Sequence, residues 1–435
     1  MQIWNEQMEC QDREELTQLQ LERLQSTLNR AYKNVPFYRN CLGEACMDPS
    51  SVKSLADLSR LPLTSRGDLN QNYPYGLFAV PLKDIVRIHT ATGTGSNPTV
   101  SGYTNTDLGN WTEMVARALT AAGVSAEDIM QICFDPGLAN WAREFMRGAE
   151  AIRASVIPMT PLEIPKQLMV MNDYKTSALV TTPSYARHLV REMTRLSINP
   201  NSLSIRRALL LGEFLSHSGR AGLEEALHIE IQTAYGLSEV PGPAMGYECR
   251  ERRGLHLNED HFIAEVIDPE REEVLSPGET GELVLTSLTA KAFPLIRFRT
   301  GDLVSLSIER CSCSRTLARL ESVQGRADRL VVIRGIKLHP QLIHAVLSRA
   351  CRGKIPDYVS FVRRLEDLDR LEVLVQVDEA CFSDEIKRLE HLVQLARGEL
   401  EQSLGIPVKV RLVEPGTLAK YSDRLAQIID ERING

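Results

Sequence analysis

Apolar positions set the first boundaries along this chain. Leu16, Leu19, Leu24 and Leu28 recur at helical spacing, so residues 13–31 read as an amphipathic helix packed on the body of the protein. From Val115 to about Ile205 helical and strand-like patterns alternate. Ser155–Met159 and Ala178–Thr182 are short apolar runs that read as buried strands between helices, which predicts parallel sheets with crossover helices. Near Phe262 the texture changes. Phe262–Ile267, the turn Asp268-Pro269 and then Gly281–Leu288 predict a β-rich lobe attached to the α/β body.

The last hundred or so residues have their own rhythm. Leu330–Arg334 reads as a strand, and His339-Pro340 opens a helix with Pro at an early position. Tyr358–Val362 and Leu371–Val377 read as strands, Ser383–Leu404 as a long helix and Pro407–Val413 as a final strand. The order β-α-β-β-α-β is that of a ferredoxin-like unit. A boundary is therefore expected near Gly325–Asp328, dividing the chain into residues 1–326 and 327–435.

Composition narrows the class. The chain has 435 residues, 43% hydrophobic and 25% charged, which suits more than one soluble domain. The net charge of −7 disfavours non-specific nucleic-acid binding. No apolar run approaches the roughly 20 residues of a membrane span. Glu6, Glu9, Asp12, Glu14 and Glu15 precede any long apolar stretch, the wrong order for a signal peptide. A cytoplasmic protein with no membrane or nucleic-acid partner is expected, and its nine cysteines are expected to be reduced.

One loop carries candidate chemistry. After Ile85–Ile88, the run His89-Thr90-Ala91-Thr92-Gly93-Thr94-Gly95-Ser96-Asn97-Pro98-Thr99 combines glycines with hydroxyls. Glycine lets backbone N–H groups approach an anion, and Thr and Ser add donors. A plain turn has the same composition, so the loop decides nothing alone. Thr92–Thr99, however, resembles the phosphate loop of adenylate-forming enzymes, specifically of the phenylacetate–CoA ligases. The resemblance runs from Asn34-Val35-Pro36-Phe37-Tyr38 almost to the C-terminus. It includes residues 72–81 (NYPYGLFAVP), Thr182-Pro183-Ser184-Tyr185 and Arg334-Gly335. It implies an adenylate-forming α/β fold with a large N-terminal AMP-binding domain and a small, mobile, ferredoxin-like C-terminal domain.

The same resemblance assigns the site. Thr92, Gly93, Thr94 and Gly95 would cradle ATP phosphates, although Asn97 stands where the family has lysine. Residues 232–239 (QTAYGLSE) resemble a second signature. There Tyr235 and Gly236 would lie against adenine and the acyl group, and Glu239 would bind Mg²⁺. Residues 294–303 (PLIRFRTGDL) resemble a third, with Asp302 accepting from the ribose hydroxyls, as an ionised carboxylate can. In Gly325-Arg326-Ala327-Asp328, Arg326 would sit near ribose and phosphate and Asp328 at the domain hinge. Glu213 in Leu211-Gly212-Glu213-Phe214 would lie beside adenine. The family's catalytic lysine aligns with Arg424 when the register is set on Pro415-Gly416-Thr417-Leu418. Lys420 is the other cation nearby.

Two further clusters stand out. Cys249, His256, Cys311 and Cys313 supply four N/S ligands, the set zinc prefers, or else four reduced and unliganded side chains. Some proteins of the resembled family carry this arrangement, so a structural zinc is expected. Gly137, Ala139 and Trp141 fall where the family lines its acid pocket, with bulk redistributed to Trp141. Phe145 and Met146 with Trp141 also fit a helix core. The expected function is ATP-dependent adenylation of an aromatic or related acid, then transfer to CoA. A non-CoA acceptor or a non-catalytic nucleotide-binding relative remain alternatives, because Asn97 and Arg424 each replace a lysine. The small-molecule partners are the acid, ATP and CoA, and the resemblance admits a homodimer.

Overall fold

The structure, a computed structural model, describes residues 2–91, 98–134, 138–159, 162–240, 242–328, 330–338, 340–350, 357–365, 368–376, 386–414 and 416–432. The first long helix, Arg13–Asn34, begins where Asp12 caps the Glu14 N–H and buries Leu16, Leu24 and Leu28. It runs three residues past the expected end, because Pro36 then opens the next helix at its first turn.

Among the described residues the body is built on an 11-stranded sheet. Its order is Phe262–Ile267, Thr280–Ser287, Phe298–Ser307, Arg319–Arg326, Leu255–Leu257, Gly246–Glu248, Glu230–Tyr235, Arg207–Leu211, Ala178–Thr181, Ile129–Cys133 and Ser155–Ile157. The last five pair in parallel. Ala178–Thr181 is buried throughout, as its apolar run predicts. Ser155–Ile157 is not: it is the edge strand, paired on one side only, and its residues stay partly or fully exposed. The β-rich stretch after Phe262 continues the same sheet in antiparallel fashion, so the two textures share one core rather than meeting at a seam. Helix Asn105–Ala121, opened by a Thr104/Asp107 capping box, sinks Trp111 and Met114 into that core.

A second core gathers residues from Ile333 to Val410. Its four-stranded sheet has the order Val408–Val413, Leu368–Gln376, Tyr358–Leu365, Ile428–Asp430. Here the expected strand order changes. Val331–Ile333 does not join this sheet but pairs with Ile336–Leu338 as a separate hairpin. Ile428–Asp430, which the pattern did not mark as a strand, lies parallel beside Tyr358–Leu365. Strand alternation splits the packing. Tyr358 and Val362 face helices Pro340–Ala350 and Ile386–Leu404, while Val359 and Phe361 face Leu418 in the short helix Thr417–Arg424. No helix among the described residues is long and apolar enough to cross a membrane.

Candidate active site at the carboxyl ends of the parallel strands

The parallel strands end together, and the candidate residues follow their carboxyl ends. Gly212 and Glu213 follow Arg207–Leu211, while Tyr235 closes Glu230–Tyr235 and Gly236 comes next. Crevices at such strand ends are where open α/β sheets bind ligands. The antiparallel strands add Asp302 and Arg326, which pair across from one another in register.

These residues form one charged network. Asp302 accepts at Oδ2 from the Tyr235 hydroxyl at 2.5 Å and at Oδ1 from Arg326 Nη1. Arg326 also grips Asp328 with two parallel bonds, Nε to Oδ1 at 2.7 Å and Nη2 to Oδ2 at 2.8 Å. Burial opposes the Asp328 charge, but this fork and the Arg66 charge hold its carboxyl below the usual range. Burial, and then the Asp302 charge, push the Tyr235 phenol well above its ordinary value, so it stays a donor. Each carboxylate oxygen can accept twice, which leaves Asp302 capacity for a vicinal diol.

Sequence patterns missed the residue that links the two halves of this network. Arg66 donates from Nε to Glu239 Oε1 at 3.1 Å and from Nη1 to Asp328 Oδ2 at 3.3 Å. Glu239 is 1% exposed, so this partner is what allows a buried charge there. Arg66 opens helix Arg66–Gln71, whose Ser65/Asp68 capping box is the one legible signal in the segment.

Glu213 lies at another wall. It accepts from the Ser184 N–H at 2.9 Å and hydroxyl at 2.5 Å, at the start of helix Pro183–Arg195. Burial nonetheless pushes its carboxyl up to about 7, helped by the nearby Asp369 of the second core. The cores therefore meet here. The tip of the small hairpin, Arg334-Gly335, has positive φ at both residues (50° and 80°), as a two-residue turn of this hand requires. It docks so closely that a side chain on Gly335 would strike Leu138 at 2.7 Å, and Gly335 lies against Gly212.

The acid-pocket segment is only partly placed. Gly137 lies outside the described residues, as does the Ala139 side chain. Trp141 is buried on helix Ala139–Ala151 with its ring edge toward Gly212, so it both joins the core and walls the crevice. Glu144 on that helix pairs with Arg87, another contact no pattern announced. Arg87 begins a two-stranded ribbon, Arg87–Ala91 with Thr99–Tyr103, that brackets the phosphate loop. Thr92, Gly93, Thr94, Gly95 and Asn97 lie outside the described residues. His89 anchors the ribbon against Tyr103 and Trp111. Burial first, and then Arg87 and Arg143, lower it to about 4, which keeps it neutral at pH 7.

The two candidate catalytic cations sit in helix Thr417–Arg424, on the second core. Leu418 is buried there and Tyr421 packs on Phe361 with ring centroids 5.4 Å apart. Lys420 is exposed and stands 5.0 Å over the Tyr421 ring. The Arg424 side chain lies outside the described residues.

Away from the crevice, Cys249, His256, Cys311 and Cys313 converge. All four are buried and their ligand atoms lie within 4.8 Å of one another. Cys249 Sγ is 3.8 Å from Cys311 Sγ, and Cys313 Sγ is 3.4 Å from His256 Nε2. Hydrogen bonds from Cys249 and His256 draw the Cys313 thiol far down.

Comparison with known proteins adds the following. Residues 335–432 match the family model described as the AMP-binding enzyme C-terminal domain. The chain is 37% identical to a phenylacetate–coenzyme A ligase of Thermus thermophilus, over 99% of this chain and 100% of that one. It is 35% identical to the Escherichia coli phenylacetate–coenzyme A ligase, over 96% and 95%. Among solved structures, 2-hydroxyisobutyryl-CoA ligase with 2-HIB-AMP and CoA in the thioesterification state superposes with a TM-score of 0.89 at 26% identity, covering 98% of this chain and 92% of that one. The same enzyme with 2-HIB-AMP in the postadenylation state gives 0.70 at the same identity and coverage.

Proposed function

The chain belongs to the phenylacetate–CoA ligase family of adenylate-forming enzymes, and from that premise we propose that it activates an aromatic or related carboxylic acid with ATP and passes the acyl group to the thiol of CoA. The observation that carries this reading is the joint network of Tyr235, Glu239, Asp302, Arg326 and Asp328, set at strand ends.

The chemistry divides between the two cores. A carboxylate oxygen of the acid attacks the α-phosphorus of ATP, the bond to pyrophosphate breaks, and acyl-adenylate forms. Asp302 would hold the ribose hydroxyls with Arg326 beside the phosphate, and Glu213 and Tyr235 would flank adenine. Glu239 offers a buried carboxylate for Mg²⁺, an ion that takes one or two carboxylates plus substrate phosphates and here would offset phosphate charge. Arg424 would approach the attacking carboxylate and the α-phosphate, with Lys420 as the other candidate. Residues 327–435 would then turn about Asp328. The CoA sulfur attacks the acyl carbon, the carbon–oxygen bond to AMP breaks, and the thiol proton passes to solvent. The TM-scores of 0.89 and 0.70 favour the thioester-forming arrangement for the structure described.

The cysteine cluster fits zinc. Two thiolates at about 2.3 Å in a tetrahedron lie about 3.8 Å apart, and a thiolate and an imidazole slightly closer. The Cys249–Cys311 spacing of 3.8 Å and the Cys313–His256 spacing of 3.4 Å match those edges. Four protein ligands leave no open position, so the ion would clamp the turn before Arg319–Arg326 to the Gly246–Glu248 hairpin. The reduced thiols this needs, together with ATP and CoA, suit the cytoplasm.

The test is pyrophosphate release from ATP, Mg²⁺ and a panel of aromatic acids, followed by thioester formation on adding CoA. Release and thioester together are expected. No release with any acid would leave a non-catalytic relative. Release without thioester would point to another acceptor.

A further inference from the structure

We propose that the protein carries a second anion site, separate from the adenylate crevice, that takes a phosphate- or diphosphate-bearing small molecule. A cavity of about 460 Å³ lies at the opposite ends of the parallel strands. Arg206, Arg207, Arg250 and Arg315 are among its lining residues, together with Glu127 and Asp128. Asp128 immediately precedes strand Ile129–Cys133 and Arg207 begins strand Arg207–Leu211, whereas Phe134 and Gly212 follow those strands toward the crevice. Each strand has five residues, and at about 3.3 Å per residue roughly 15 Å of sheet separates the two places.

Three of the four arginines already pair with carboxylates, Arg206 with Asp128, Arg250 with Glu230 and Arg315 with Glu9, which leaves Arg207 as the cation in reserve. Arg315 is fully buried, with Nε on Glu9 at 2.5 Å, yet its Nη1 is buried without a partner. The Arg207 side chain makes no hydrogen bond or close ion pair among the described residues, and its charge acts on Asp128 at longer range. Its guanidinium lies over Gly123, where a Cβ would meet Nη1 at 2.7 Å and φ is +85°, so only glycine leaves it that seat. Asp128 is already engaged by the Ser125 N–H, the Ser177 hydroxyl and Arg206. The Ala118, Leu119 and Thr120 carbonyls at the end of helix Asn105–Ala121 are taken by the N–H groups of Ala122, Val124 and Gly123, so these arginines do not cap them. Arg250 stands at the exposed rim, held by exposed Glu230. A polyanion that accepts forked guanidinium donors is the ligand such a lining selects.

Two sources supply that chemistry, free pyrophosphate and the bisphosphorylated adenosine end of CoA. Calorimetric titration of the full chain with pyrophosphate, with adenosine 3′,5′-bisphosphate and with inorganic phosphate separates them. With at least one probe, Arg207→Gln/Arg250→Gln should weaken one binding event at least tenfold, while pyrophosphate release at saturating ATP stays unchanged. Arg271→Gln, an exposed charge elsewhere, should leave every isotherm as in the wild type. If the double variant fails to fold, Arg250→Gln alone should weaken the same event about threefold. Isotherms that superimpose on the wild type for all three probes would overturn the site, whatever the acid panel shows.

Discussion

The nucleotide crevice and the segment bearing Arg424 are built on opposite principles. In the crevice, charges are locked. Asp302, Arg326, Asp328, Arg66 and Glu239 form a continuous chain of ion pairs, four of these five side chains no more than 13% exposed. The segment Thr417–Arg424 is a short helix resting on its own sheet through Leu418 and Tyr421. A rigid seat suits a nucleotide that must stay bound through two reactions. Under the proposed mechanism, a cation held on a separate core would be brought in for one reaction and withdrawn for the other, at little cost to the seat. Each of the following changes tests one side of that contrast.

The largest effect is expected at the seat. Asp302→Ala removes the acceptor proposed for the ribose diol and half of the Arg326 pairing. Hydrogen bonds to a charged group contribute about 1.5–3 kcal/mol each, so adenylation kcat/KM should fall on the order of 100-fold or more. Steady-state pyrophosphate release reads this. A loss below about fivefold would mean that the ribose is held elsewhere.

Next comes the zinc clamp proposed beneath the strand that carries Arg326. Cys313→Ser, or prolonged chelation, should release one zinc per chain by metal analysis and lower Tm by about 5 °C or more. Metal-free protein with an unchanged Tm would leave the four side chains as ordinary buried groups.

On the side of the second core, Arg424→Lys exchanges a planar guanidinium for a compact ammonium at the proposed catalytic position. Adenylation should rise about tenfold, while thioester formation from preformed acyl-adenylate stays level. That split is the point, because a structural role would move both together. No change, alongside loss of activity in Lys420→Ala, would move the register and give Lys420 the role.

What the sequence revealed follows the same division. Strands with one-sided apolar runs and the long helix from Arg13 were legible because burial forces their periodicity. The edge strand Ser155–Ile157 was misjudged as buried, since an apolar run does not say how many neighbours a strand has. The first C-terminal strand was placed in the wrong sheet for a related reason: hairpin and sheet strands share a pattern, and only the positive φ at Arg334 and Gly335 separates them. In the crevice, contiguous motifs pointed to Asp302, Arg326 and Glu239. Arg66, Arg87 and Asp369 stayed hidden, because each acts on a partner more than 50 positions away or on the other core.

The last contrast lies where the two cores meet. Glu213 has its carboxyl pushed up to about 7, mainly by burial and further by Asp369 across the contact. The unfolded chain releases that proton near 4.5 and the folded chain holds it to about 7, so folding takes up a proton between those values. Stability should therefore fall as pH rises through that window, and above it the folded form carries the whole cost of a buried charge. That cost is at most about 3 kcal/mol by the linkage of pKa to free energy, reduced by the Ser184 donors if they tighten. Glu213→Gln keeps an acceptor for Ser184 and has no charge to lose. Its Tm should change less between pH 5 and 8 than the wild type's, with the gap widest at the alkaline end. Parallel profiles would mean that Glu213 is ionised throughout, and that the contact between the two cores is not weakened by charge.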